Sequence, residues 1–363
     1  MNHDRRGRLT PPGTGTVGRA AMVSVVIPCF NYAKYLPAAV QSVVSQDGIS
    51  TQIIVVNDAS TDDSLNVAID LANKYSQVIV LDNKINRGPV ETFNRGLELA
   101  TGDFLVRLDA DDLLTPGSLR RAVDVAYSDP HIGLVYGHPI HFSGDNLPKA
   151  RQRVKGWAVW DGLQWLEDRC RTGVNVITSP EVLMRMSVVR QVGGQRDLAH
   201  THDMEMWMRI ASVSRVAYIR GADQAWHRDH ALSLSARKVD FTTDFEQRWL
   251  AFETLFENGE PNDRRFSSLR ALARGALIEE GIRSARVELQ LGIPDRDRFD
   301  TWLAMVRRIG PNELQAAQIK RLESHPRNVR SSPLRQADTF ARRVFRRMMR
   351  EYRKRHWASY GIY

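Results

Sequence analysis

From Val23 onward the chain alternates between two hydrophobic periods. "VSVVIPCF" and "QIIVVND" are near-continuous runs of β-branched residues, and "VIVLDN" and "DFLV" repeat the pattern. Between them, "YLPAAVQSVVSQ", "DDSLNVAIDLANKY" and "VETFNRGLELA" place apolar residues at every third or fourth position. Continuous Val/Ile runs suit strands buried on both faces, whereas the longer spacing suits amphipathic helices. Their alternation predicts an α/β fold with a doubly wound, mostly parallel sheet. Ligands of such sheets bind beyond the carboxyl ends of the strands. Polar residues stand at those ends: Asn31, Asn57 with Asp58, Asn83 with Lys84, and Asp109 with Asp111. The next segment, "TPGSLRRAVDVAY", reads as a helix capped by Thr115 with Pro116 at its first position.

After Ser235 the alternation stops, and "DFEQRWLAFETLF", "SLRALARGALIEEGIRSARVELQLG", "RFDTWLAMVRRIG" and "ELQAAQIKRLES" predict a C-terminal helical appendage. The last segment is a separate case. At about 100° per residue, Phe340, Val344, Phe345, Met348, Met349 and Tyr352 share one half of a helical wheel, and seven Arg and Lys residues between Arg342 and Lys354 share the other. The expected organisation is a disordered lead-in at 1–21, the sheet domain at 22–235, the helical appendage at 236–330 and a basic amphipathic tail at 331–363.

Charge changes this picture at one end only. The net charge is +9, but Lys320–Tyr363 holds 13 Lys/Arg against 3 Asp/Glu, and the rest of the chain 38 against 39. A near-neutral body argues against nucleic acid as a partner. The 339–357 helix suits an anionic membrane surface, with docking of its apolar face on the body as the alternative. No apolar run reaches the roughly 18 to 20 residues that a membrane span needs, and the N-terminus has no apolar signal core. Together with two cysteines, Cys29 and Cys170, too few for a disulfide framework, this points to a cytoplasmic protein, peripheral on the inner face of the cell membrane if the tail binds lipid. The glycines of "GTGTVG" (Gly13–Gly18) precede the first strand, whereas a dinucleotide fingerprint requires them after one.

Candidate chemistry concentrates in "RLDADD", Arg107 to Asp112, where three carboxylates follow a buried strand. Alternating carboxylates such as Asp109 and Asp111 can hold Mn²⁺ or Mg²⁺, which commonly takes one or two protein carboxylates plus phosphate oxygens. Helix capping does not require them, because Thr115 is available for that.

In order, "VSVVIPCFNYAKYLPAAVQSVVSQ", "IIVVNDASTDDS" and "NRGPVETFNRGLELATGDFLVRLDADD" resemble the donor-binding half of the inverting family 2 glycosyltransferases of the GT-A fold. The resemblance implies a metal-dependent enzyme that moves a sugar from a nucleotide-diphosphate donor (UDP-, GDP- or dTDP-sugar) to a hydroxyl of a saccharide or lipid-linked acceptor. Polysaccharide, glycolipid or cell-wall biosynthesis would fit. It implies that Pro28, Phe30 and Asn31 border the nucleoside pocket and that Asp58 contacts base or ribose. Lys84, Asn86 and Gly88 would line the donor site. Asp111 would be the main metal ligand, with Asp109 directed to the ribose or to the metal through water. Where the family often has "VDDGS", this chain has "VNDAS".

Inverting transfer also needs a base on the face opposite the leaving nucleotide. "HTHDMEMWMRIASV" resembles the family's acceptor-side motif, with Asp203 as the implied base, His202 in place of the usual acid before it and Glu205 two positions on. On spacing alone Asp203 is equally a helix N-terminal acid favoured by the dipole. In "WHRDHALSLS", Arg228 and His230 match a family segment: Arg228 would neutralise the diphosphate, and His230 would add a nitrogen ligand to the metal or serve structurally. Trp157, Trp160 and Trp165 are expected in the core, with an acceptor platform as the alternative. Two other classes compete with this reading: a non-catalytic binding or regulatory protein on a GT-A scaffold, and a nucleotidyltransferase.

Overall fold

A computed structural model describes residues 8–10, 21–230, 240–257, 264–290, 296–324, 348, 352 and 356–362. The chain forms two compact units. The first comprises residues up to Leu166, Asn175–Arg237 and Ala358–Ile362. Its sheet has ten strands, built on β2 (Met22–Cys29), β3 (Ser50–Asn57), β4 (Val78–Asp82) and β5 (Phe104–Arg107). These four run parallel in the order β5-β2-β3-β4. The joining helices are α1 (Leu36–Val44), α2 (Ser64–Lys74) and α3 (Gly88–Glu98).

Beyond β5 the sheet becomes mixed. The elements that follow are β6 (Leu113–Leu114), α4 (Ser118–Ser128), β7 (Ile132–Phe142), β8 (Gly156–Trp160), α5 (Gly162–Thr172), β9 (Leu183–Arg185), α6 (Met186–Val192), α7 (His202–Val213) and β10 (Arg215–Arg228). β9 lies antiparallel between β5 and β7, and β7 pairs in parallel with β10. β6 and β8 pair antiparallel with β10.

The β-branched runs are buried as expected: Val23, Val25–Ile27, Ile53–Val56 and Phe104–Val106 are at most 1% exposed. Buried Ser24 has its own partners, donating to Gln52 Oε1 at 2.6 Å and accepting from Gly102 N–H at 2.8 Å. Trp157, Trp160 and Trp165 all lie in the core. Cys29 and Cys170 are buried free thiols, and burial pushes that of Cys29 up to about 11.

Three details differ from the sequence reading. Within the lead-in assigned to disorder, Arg8–Thr10 forms an edge strand, β1, antiparallel to β8. Three residues between Gly7 and Pro11 are too short to show a strand period. Thr115 does not cap the following helix; its hydroxyl donates to the Asp223 carbonyl, and α4 begins three residues later, after Gly117 at φ 71°. Finally, the tail expectation included 358–362, which pack on the sheet instead. Tyr218 and Tyr136 hydroxyls donate to the Ala358 and Gly361 carbonyls at 3.0 and 2.6 Å, and Ile362 is buried. The rest of the predicted 339–357 helix lies largely outside the described residues, of which Met348 and Tyr352 are exposed.

The second unit is helical, with Glu167–Val174, α8 (Phe241–Glu257), α9 (Arg264–Gln290), α10 (Arg296–Ile309) and α11 (Glu313–Glu323). A buried Arg248 ties it together, donating to Glu280 at 2.8 Å and to the Gly173 carbonyl at 2.6 Å. Among the described residues no helix is long and apolar enough to cross a membrane.

The α3–sheet contact is close enough to test. A Cβ on Gly96 would stand 2.5 Å from Val26 Cγ1 and 3.0 Å from Val56 Cγ2. Gly96→Ala should therefore destabilise the first unit by about 1–3 kcal/mol through overpacking. An unchanged thermal midpoint would show that α3 does not approach the sheet this closely.

Candidate active site

The expected residues converge beyond the carboxyl ends of β2, β3, β4 and β5. Pro28 lies in β2, and the chain leaves that strand through half-exposed Phe30 and then Asn31 at φ 61°. Asparagine tolerates this left-handed geometry. The Asn31 side-chain oxygen accepts from Thr61 N–H at 2.7 Å, and its backbone N–H donates to Ser60 Oγ at 3.0 Å, so the loops after β2 and β3 are stitched together. Ala59 also sits left-handed, at φ 54°, where the "VDDGS" pattern has a glycine free of that strain.

Asp58 is buried, and its carboxylate faces the start of α3. Oδ1 accepts from Asn83 Nδ2 and Arg87 N–H, both at 2.8 Å, and Oδ2 accepts from Gly88 N–H at 2.9 Å. Asn86 donates to the Asp58 carbonyl at 3.2 Å. Gly88, at φ 81°, meets open space where a side chain would be. Lys84 is exposed and pairs with Asp82 at 2.8 Å; that hydrogen bond, with another from Asn57, pulls the Asp82 carboxyl below its ordinary value.

The three acids after β5 each have a different partner. Asp109 pairs with Arg107 Nη2 at 3.0 Å. Asp111 Oδ2 lies 2.7 Å from His230 Nε2. Asp112 accepts from Arg228 N–H at 2.8 Å and faces His227 Nδ1 at 3.0 Å. Burial, then the neighbouring Asp109 charge, raises the Asp111 carboxyl above its ordinary value. Burial, and next the charges of Asp111 and Asp109, also push the Tyr32 hydroxyl far up. Asp111 and His230 thus stand together as groups of the kind that a divalent cation such as Mn²⁺ takes, whereas Asp109 is turned to Arg107 and does not complete a three-ligand cluster with them. Tyr32 and Tyr35 flank the His230 ring at 6.0 and 5.6 Å. Arg228 is held between the Tyr35 and Phe142 rings, donating to the Asp111 carbonyl at 3.1 Å and to that of Gly144.

Asp203 lies in the first turn of α7. Its Oδ2 accepts from Ser179 Oγ at 3.0 Å and its Oδ1 from Met204 N–H at 2.6 Å. Burial raises this carboxyl to about 6 against the opposing Arg107 charge. Ser179 is positioned in turn by buried Glu181, which accepts from the N–H groups of Thr178 and Ser179 at 2.6 and 3.1 Å. Glu205 points elsewhere: fully buried, it pairs with Arg209 at 2.8 Å and Arg196 at 2.9 Å.

Arg107 joins the two halves. Besides Asp109, its guanidinium reaches Gln195 Oε1 at 3.2 Å and His202 Nε2 at 2.6 Å. His202 Nδ1–H donates to the Leu198 carbonyl at 3.1 Å, which leaves Nε2 as the acceptor. Burial and the adjacent Arg107 charge push His202 down to about 3, so it is neutral near pH 7. Sequence reasoning missed Arg107, Ser179 and Glu181. Only Arg107 left a signal, as a cation closing an otherwise apolar strand.

The model of glycosyl transferase family 2 matches residues 24–193. Putative glycosyltransferase EpsE of Bacillus subtilis is 28% identical over 239 residues, 64% of this chain and 81% of that protein. A PGL/p-HBAD biosynthesis glycosyltransferase of Mycobacterium tuberculosis is 33% identical over 123 residues, 33% of this chain and 48% of that protein. The matched region spans only 35% and 62% of the lengths of two other curated relatives, glycosyltransferases of Nostoc and Haemophilus influenzae. Among solved structures, S. aureus TarS 1–349 in complex with UDP-GlcNAc has a TM-score of 0.57 at 18% identity, covering 82% of this chain and 84% of that one. The Pyrobaculum calidifontis mannosyltransferase PcManGT, in complex with GDP-Man and Mn²⁺, has a TM-score of 0.54 at 17% identity, covering 92% and 86%. At these identities the likeness is one of fold, the GT-A arrangement.

Because the folded state holds the Asp203 proton more tightly than the unfolded chain does, ionising Asp203 costs stability as pH rises from about 4 to 6. Asp203→Asn should accordingly raise stability at pH 7 by roughly 1–2 kcal/mol, discounted for the partial solvent contact of the side chain. The gain should vanish below pH 4. A thermal midpoint at pH 7 equal to or below that of the wild type would show that Asp203 is not a strained buried carboxylate.

Proposed function

We propose that this chain, whose residues 24–193 match the model of glycosyl transferase family 2 and whose fold is of the GT-A type, is a glycosyltransferase that carries out inverting, metal-dependent transfer of a sugar from a nucleotide-diphosphate donor to a hydroxyl of a saccharide or lipid-linked acceptor. The observation that carries it is the Arg107 bridge, which pairs with donor-side Asp109 and reaches, across 95 residues of sequence, His202, the neighbour of Asp203. One donor-side carboxylate is thus tied to the residue before the candidate base, whose carboxyl also feels the Arg107 charge. Support for the donor class comes from the solved relatives, whose structures contain UDP-GlcNAc, UDP or GDP-Man.

In this reading the nucleoside lies along Pro28, Phe30, Asn31 and Asp58, and the diphosphate lies toward Lys84, Asn86, Gly88 and Arg228. Asp109, Asp111 and His230 hold Mn²⁺ or Mg²⁺, which when bound supplies counter-charge to the diphosphate. The acceptor oxygen attacks the anomeric carbon as the bond from that carbon to the diphosphate oxygen breaks, and the acceptor proton passes to Asp203. A base near 6 is ionised at neutral pH yet basic enough to take a proton, so transfer should fall as pH drops through about 6. Ser179 holds that carboxylate by a hydrogen bond, and the Arg107 charge favours its ionised form. The cellular role we propose is polysaccharide, glycolipid or cell-wall biosynthesis at the cytoplasmic face of the membrane.

Metal site and base have separable signatures. Asp111→Ala should lose the thermal shift produced by a sugar nucleotide with Mn²⁺, as EDTA does for the wild type, together with turnover. Asp203→Asn should keep that shift and lose transfer by about 10²- to 10⁴-fold. Near-normal transfer by Asp203→Asn would remove the base assignment.

The 339–357 segment supports peripheral membrane attachment, since its apolar-face residues Met348 and Tyr352 are exposed. Binding to anionic vesicles should fall steeply with salt, at about 1 kcal/mol per basic residue near the surface. Replacing Arg342, Arg343, Arg346 and Arg347 by Gln is a cleaner probe than truncation, which would also remove 358–362 from the sheet. The variant should no longer sediment with anionic vesicles but should still bind donor; undiminished sedimentation would exclude this attachment.

A further inference from the structure

The ends of β7 and β10 carry a second cluster of ligating side chains that the reaction above does not use. Strand register places His227 opposite His141 and Arg228 opposite Phe142. The backbone N–H of Asp229 then donates to the Phe142 carbonyl at 2.8 Å, which fixes Asp229 beside the two imidazoles. Their rings stand 4.9 Å apart, and one ligand atom from each of His141, His227 and Asp229 lies within 4.8 Å of the others. His141 Nδ1 is 3.3 Å and His227 Nε2 is 3.9 Å from Asp229 Oδ1. The second distance is too long for a hydrogen bond. Around a tetrahedral ion with bonds of about 2.0–2.1 Å, ligand atoms stand roughly 3.3–3.5 Å apart, so small movements of exposed side chains would close the set.

A second, independent observation concerns the far side of His227. Its Nδ1 faces the buried carboxylate of Asp112 at 3.0 Å, so Nδ1 carries the hydrogen and Nε2 points outward to the cluster. A histidine whose other nitrogen donates to a carboxylate is the usual support of a metal-bound imidazole. We propose that His141, His227 and Asp229 bind a divalent transition-metal ion of the Zn²⁺ class, at a site separate from Asp109, Asp111 and His230. Two imidazoles and one carboxylate favour Zn²⁺, Co²⁺ or Ni²⁺ over Mg²⁺. With three protein ligands, the remaining position is left to water. A bound ion would clamp the end of β7 to the residues on either side of Arg228.

The test is a competition titration of the untagged full chain with Zn²⁺ against a chromophoric chelator, with Mg²⁺ in large excess to occupy the oxygen-rich site. One Zn²⁺ equivalent should survive the Mg²⁺. His141→Ala and Asp229→Asn should each weaken it by about tenfold or more, whereas Asp111→Asn should leave it, as should His131→Ala, an exposed histidine that pairs with Asp129 before β7 and lies outside the cluster. Co²⁺ should show the intense visible absorption of a tetrahedral site, lost in His141→Ala. Both ligand positions are exposed, so these variants should keep the wild-type thermal midpoint without metal. Equal Zn²⁺ affinity in wild type and His141→Ala would overturn the proposal, as would loss of the equivalent in Asp111→Asn, which would place the ion in the other site.

Discussion

A guanidinium buried at the end of β5 holds the candidate site together. Arg107 has little access to water, and a buried cation is tolerable only when paired and hydrogen-bonded. Asp109 supplies the charge, and Gln195 and His202 supply neutral acceptors. Those partners come from the loop after β5, the segment after α6 and the first turn of α7, so satisfying one side chain fixes three pieces of chain. Removing any partner would leave the cation under-compensated, which makes the arrangement cooperative rather than a sum of pairs.

The same constraint explains how so many acids can share one rim. Asp109, Asp111 and Asp112 are nearly contiguous, yet each turns to a different cation or imidazole contributed by β5, β10 or the residues that follow β10. Burial and like charge still act on two of them: the Asp111 carboxyl is raised by burial and by Asp109, and that of Asp112 is raised to about 7, by burial first and to a smaller extent by Asp111 and Asp109. Asp58, by contrast, receives three hydrogen bonds from the start of α3 and its flanking loop. Part of what looked in the sequence like a ligand-facing acid serves to set the entry angle of that helix.

Much of this was legible in advance because it depends on local pattern. The Val/Ile runs of β2, β3 and β5 announce buried strands, and the polar residues at their ends mark the rim by geometry alone. What escaped depends on distance or on backbone sign. Arg107 and His202 are 95 positions apart, and no spacing rule connects a strand-terminal arginine with a histidine before a helical aspartate. Thr115 and Pro116 have the composition of a helix start, but the left-handed Gly117 delays the helix to Ser118. Residues 358–362 follow a highly basic stretch, and a single buried Ile362 beside a left-handed glycine carries too little pattern to reveal a return to the sheet.

The substitution of histidine for an acid before Asp203 then acquires a physical meaning. An aspartate or glutamate at position 202 would form a second ion pair with Arg107 and cancel its field at Asp203. His202 accepts the same hydrogen bond without a charge, because burial and the arginine hold it neutral down to about pH 3. The positive field of Arg107 thus still acts on Asp203, opposing the burial that raises that carboxyl. Without that field, Asp203 would be pushed above 6 and would hold its proton nearer neutral pH, which would oppose the base role proposed for it. A neutral acceptor at 202 and a cation at 107 therefore form a matched pair, and changing either one alone shifts the ionisation of Asp203.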